Sequence, residues 1–126
     1  MTAEQIREAL ALATDELTVS VDKVEETFRA LRLGVNAQVP LDDTRFVAFK
    51  RSGKEWRLVV IDPVNGDQPL RNCSRECRVR AAEIYDALLR ELFVQAEAQV
   101  SIVKDARERT EDFVVRAIRL AHENDY

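Results

Sequence analysis

The sequence predicts an α+β fold of order α-β-β-β-α, a small three-stranded antiparallel meander packed with two long helical regions. Three observations predict it. An apolar stripe at helical spacing runs through residues 3–33, a change to period two follows Gly34, and a second helical seam holds almost without interruption over residues 75–121. The last is the most informative. Ala82, Tyr85, Leu89, Leu92, Ala96, Gln99, Val103, Ala106, Thr110, Phe113, Ala117 and Leu120 follow each other at alternating spacings of three and four, the heptad rhythm of a helix laid along another helix. A straight helix over this stretch spans about 70 Å at roughly 1.5 Å per residue.

Each element has its own signals. Thr2 and Gln5 stand in the relation of a capping box, which opens the first helix at residue 3. Its stripe is Ile6, Leu10, Ala13, Leu17, Val21, Val24, Phe28 and Leu31. Two successive four-residue steps at 13–17–21 form a stutter, and the β-branched run Thr18-Val19-Ser20-Val21 is poor for helix, so one bent helix or two with Ser20 as a second cap both fit. Gly34 is the expected helix stop, because glycine adopts the left-handed conformation without steric cost.

Val35, Ala37, Val39 and Leu41 then alternate with polar residues and Pro40, a half-buried edge strand within a sheet region over 35–61. Asp42-Asp43 makes a turn. Arg45–Lys50 and Trp56–Ile61 read as a hairpin through Ser52-Gly53. Val59 and Ile61 make both faces of the last strand apolar, which marks it as central. Residues 62–72, with two prolines and Asn65-Gly66, read as a loop. Ser74 caps the long C-terminal helix over 75–122, and Glu76 suits the dipole of its first turn. At 104–112 the stripe narrows to Ala106 and Thr110, which leaves either continuous helix or a turn there.

The two helical regions differ in length. If they pack as an antiparallel pair covering one sheet face, about 16 residues of the C-terminal helix overhang. Each large apolar side chain left exposed there, when it could be buried, costs about 1.5–3 kcal/mol. Either 104–112 folds residues 113–122 back, or a second copy covers them. A two-fold homodimer does so with one patch, which makes Phe113, Val114, Ile118 and Leu120 the expected self-association residues.

Composition sets the remaining bounds. With 46% apolar and 33% charged residues, 126 residues form one domain able to bury a core. No apolar run approaches a membrane span and no signal peptide is evident, and the two cysteines read as free thiols, so a cytoplasmic location is the expectation. The net charge of −4 hides an asymmetry: residues 45–80 hold nine basic and four acidic side chains, which leaves the middle at +5 and the flanks at −9.

Signals for chemistry are sparse, and no enzymatic activity, cofactor or metal is expected. Cys73 and Cys77, near arginines at a helix start, are candidate reactive thiols, with packing as small buried hydrophobes the stronger reading. His122 is the one histidine, too few for a zinc site, and it suits the last turn of a helix. Gly34, Gly53 and Gly66 are too widely separated to build a phosphate loop.

The expected function is therefore a non-enzymatic protein–protein interaction or assembly module acting as a homodimer. Arg71, Arg75 and Arg78, with Lys54 and Arg57 of the hairpin, form a basic centre for an acidic protein partner. One alternative is a nucleic-acid-binding regulator that uses the hairpin beside Trp56 and the same arginines, although a pI near 5.1 runs against a dominant basic footprint. The other is a small acidic chaperone or adaptor. The α-β-β-β-α order over residues 3–95, with the acidic pI, resembles the dimeric secretion chaperones. That resemblance implies a groove for unfolded client segments, but the strands those chaperones carry after the second helix are not evident in this chain.

Overall fold

A computed structural model describes residues 1–124, and the last two residues of the expected 1–126 domain lie outside them. The α+β class holds. Helix α1 (Ala3–Ala30) is followed by strands β1 (Ala37–Pro40), β2 (Phe46–Ser52), β3 (Glu55–Asp62) and β4 (Gly66–Pro69). A 3-10 turn at Leu70–Asn72 leads to helices α2 (Arg75–Ala82) and α3 (Tyr85–Glu123). The sheet is an antiparallel meander of order β1-β2-β3-β4.

Four strands stand where three are expected. Residues 62–72 are not simply a loop, because Gly66 pairs with Asp62 and Pro69 with Val59. Asp62 organises the tight connection by accepting hydrogen bonds from Val64 N (2.9 Å) and Asn65 N (3.3 Å), and Gly66 supplies a φ of 77°. Gly-Asp-Gln-Pro has almost no strand propensity, so the pairing comes from the hairpin and not from the strand's own side chains. Its presence leaves β3 interior, as the two apolar faces of that strand predict.

Helix α1 starts on the expected capping box, with Thr2 and Gln5 satisfying each other's backbone N–H groups. It is one helix. Within this unbroken helix the hydroxyls of Thr14, Thr18 and Ser20 each bond back to the carbonyl four residues earlier, so Ser20 caps nothing. The end differs from expectation: Leu31 is the C-cap, and Arg32, not Gly34, is the first left-handed residue, at φ 52°. The chain turns there because Phe28 is buried on the last turn while Leu33 and Val35 must reach the same core.

The C-terminal region breaks at a place with no local signal. Residues 104–112 are continuous helix, and the interruption falls at Glu83-Ile84, between α2 and α3. Glu83 N bonds to Arg80 O (3.1 Å) and Ile84 N to Ala81 O (3.0 Å), a tightened turn with Ile84 at φ −119°, ψ 5°. Cys77 and Ala81 of α2, and Leu88 and Leu92 of α3, enter one core from either side of the kink.

The core lies on one sheet face. By alternation and register, Ala37, Val47, Phe49, Leu58 and Val60 share it, and all are buried with Val21 and Phe28 of α1 and with Leu70. Phe28 meets Phe49 edge-on (5.4 Å between ring centroids) and Trp56 stacks on Phe49 at 5.7 Å. Ala48 and Val59, paired on the opposite face, are buried outside this cluster.

The two long helices do not form the expected antiparallel pair. Helix α1 leans on α2, the 3-10 turn and β3, whereas α3 leans on β1 and β2. The placement of α1 has a specific cause. Beyond the reach of β4, the edge of β3 is open, and α1 closes it with side chains. Glu25 accepts from Leu58 N (3.0 Å), Arg29 Nε donates to Trp56 O (2.7 Å), and Glu25 and Arg29 pair with each other.

Replacing Glu25 by Ala leaves a shielded strand N–H unpaired and should lower stability by about 1–3 kcal/mol, read as a reduced urea midpoint at unchanged m-value. Arg32→Gly should do the opposite. It relieves a left-handed side chain at some cost in unfolded-state entropy, for a net gain of about 0.5–1 kcal/mol in the same assay.

Candidate functional site

The domain proper ends well before either long helix does. In α1, residues 3–13 are all exposed, and the first buried side chain is Val21. In α3, Leu92 is the last buried one, and from residue 97 to residue 124 every side chain but that of Ala117 is exposed. Two helical arms result, of about 17 Å and about 40 Å at roughly 1.5 Å per residue. Both carry apolar side chains in water. On α3, Phe113 is 61%, Val114 47%, Ile118 56% and Leu120 57% exposed. On α1, Ile6 and Leu10 are 50% and 44% exposed. Each arm extends a stripe that is already buried further along the same helix.

The four expected self-association residues thus all lie on the α3 arm. The α1 arm is missed by sequence reasoning. Its stripe was legible, but pairing α1 with α3 within one chain assigned that stripe a cover it does not have.

The basic residues are dispersed. Arg71 pairs with Asp22 (2.9 Å) and Arg78 with the Thr18 hydroxyl, so both tie the α2 region to α1. Arg75 is exposed beside Glu76 (3.6 Å) and lines a shallow hollow with Asp42, Arg45 and Arg80. Arg57 pairs with Glu55 (3.1 Å). Lys54 instead lines a cleft of about 440 Å³ floored by Phe28, Phe49 and Trp56 and rimmed by Arg29 and Arg32. That cleft was not foreseen, because it needs the end of α1 to fall beside the β2–β3 hairpin.

The turn between β1 and β2 is held by a set of hydrogen bonds on Asp42. Asp42 accepts from Arg45 Nε, Arg45 N and Thr44 N, and the Arg45 guanidinium leads in holding its carboxyl down to about 2. Arg80 Nε donates to Leu41 O (2.6 Å), which fastens this turn to α2.

The thiols are packed into the core. Cys73 and Cys77 are free and buried, with their Sγ atoms 2.7 Å apart. Burial first, and then the neighbouring Cys73, pushes the Cys77 thiol up to about 12. Helix N-terminus and arginines do not prevail over desolvation here. Among the described residues, no three histidine, cysteine or carboxylate side chains gather in a way that could hold a metal ion. No described helix is long and apolar enough to cross a membrane.

No protein-family model matches the chain, and neither a curated protein nor a solved structure is similar enough to count as a match.

The buried thiols give a direct check. In the native protein near pH 7.5, iodoacetamide should modify Cys77 about a hundredfold more slowly than in the urea-unfolded chain. The sign for stability follows from the raised value. The Cys77 contribution is fully present below the ordinary thiol value of 9.0 and is lost as pH rises from there toward about 12. A Cys77→Ala variant should lack that alkaline segment of the stability profile.

Proposed function

We propose that this protein is a non-enzymatic assembly module that works as a homodimer, with the α3 arm as its self-association element. One observation carries the reading: α3 continues about 40 Å past the core as unbroken helix with its apolar stripe in water. The fold-back alternative needed a turn at 104–112, and that segment is helical. Large contiguous apolar surface on a soluble domain marks a place of contact. A second copy is the simplest cover, because it brings the same unsatisfied stripe and closes the assembly by two-fold symmetry.

The arginine-centred readings draw less support. Arg71 and Arg78 are occupied in joining α2 to α1, Arg57 faces Glu55 and Arg75 lies 3.6 Å from Glu76, and Arg75 and Lys54 line two different hollows. An acidic protein partner would meet these as separate points and not as one basic patch. A nucleic acid would find no continuous positive track in them.

Light scattering after size exclusion tests the reading over a dilution series. The chain should run at twice its 14.4 kDa mass at micromolar concentration. The Phe113→Glu/Leu120→Glu variant should run as a monomer with an unchanged circular dichroism spectrum, since both side chains lie on the exposed stripe and neither belongs to the core. A wild-type monomer at every concentration would remove the proposal.

A further inference from the structure

We infer that the dimer is built by exchange of arms: the free half of α1 in one copy pairs antiparallel with the tip of α3 in the other, twice about a two-fold axis. This rests on the self-association proposed above and names the surfaces that carry it. Within one chain the two arms belong to helices that lean on different strands, α1 on β3 and α3 on β1 and β2, so neither covers the other. Each arm extends a stripe that its own domain has begun to bury, so each needs a cover of one helix width.

Charge selects the pairing. Residues 3–17 of α1 hold Glu4, Glu8, Asp15 and Glu16 against Arg7 alone, whereas residues 113–122 of α3 hold Arg116 and Arg119, and Glu123, which ends the helix, falls opposite Arg7 in the alignment given below. The acidic arm therefore fits the basic tip. A symmetric pairing of two α3 arms fits less well. In its a-against-d register, Phe113 on Ala117 and Leu120 on Thr110, it would bring Arg116 of one copy beside Arg116 of the other.

Register follows from the heptad positions. Antiparallel helices pack a against d, and one alignment places Leu17 on Phe113, Ala13 on Ala117 and Leu10 on Leu120. Large layers enclose a small one, so the helices approach closely at the two alanines. In that alignment Glu16 and Arg116 flank the seam side by side, across the subunit boundary. All these side chains are exposed or half-buried in the single chain and free to make the contact.

Charge reversal tests the arrangement without touching the core. Glu16→Arg and Arg116→Glu should each weaken dimerisation about tenfold or more in sedimentation equilibrium. Mixed one to one, the two variants should form a heterodimer near wild-type strength, because both contacts then pair Arg with Glu. In a second measurement, Ala13→Cys chains uniformly labelled with 15N and unlabelled Ala117→Cys chains, mixed and oxidised, should give a cross-linked species of the mixed mass. A Glu16→Arg chain that dimerises like the wild type, or an Ala117→Cys chain that cross-links to itself in preference, overturns the exchange while leaving self-association through α3 standing. A wild-type monomer overturns both.

Discussion

The sheet is shorter than the helices that cover it, and most of the structure follows from that mismatch. Strand β3, the longest, has eight residues and extends about 26 Å at roughly 3.3 Å per residue. Helix α1 extends about 42 Å and α3 about 58 Å. A single sheet face can bury only the part of each stripe that lies over it, here Val21 to Phe28 and Leu88 to Leu92. Everything beyond must leave the domain as helix, with its apolar residues uncovered. The arms are thus a geometric consequence of the strand lengths.

Three local devices keep this arrangement in place. Side chains of α1 close the open edge of β3, which fixes the register of the helix against the sheet through directional bonds and not through apolar contact alone. Arg71 and Arg78 join α1 to the α2 region, and Arg80 joins α2 to the β1–β2 turn. The kink at Glu83-Ile84 then sends α3 toward β1. Residues that look from sequence like a basic surface are largely fasteners between elements. An arginine that spans two elements is satisfied by both, and less of its charge remains for a partner.

The arms were half legible in the sequence. Phe113, Val114, Ile118 and Leu120 could be found because their stripe runs on too long for any other helix in the chain to match. The free half of α1 could not. Its stripe reads identically whether a neighbour from the same chain or another copy covers it, and periodicity reports that a helix face wants burial without saying against what. The cleft floored by Phe49 and Trp56 was hidden for a related reason. Its walls come from three segments separated in sequence, and no one of them carries a signature.

By itself the sequence determined the class of fold, the capping box at Thr2, the Ser74 cap, the turns at Asp42, Gly53 and Asn65-Gly66, and the two helical stripes. All of these rest on interactions within a few residues, which local spacing encodes. Tertiary structure decided the fourth strand, the left-handed Arg32, the break at Ile84 and the separation of the two long helices. In each case the local preference was weak or contrary, and a requirement of the whole prevailed: hairpin pairing carried Gly66–Pro69 into the sheet, and core packing turned the chain at Arg32 and bent it at Ile84. Burial of distant side chains in a common core outweighs a local bias of about 1 kcal/mol, so the position of such features is set by contacts that no window of the sequence contains.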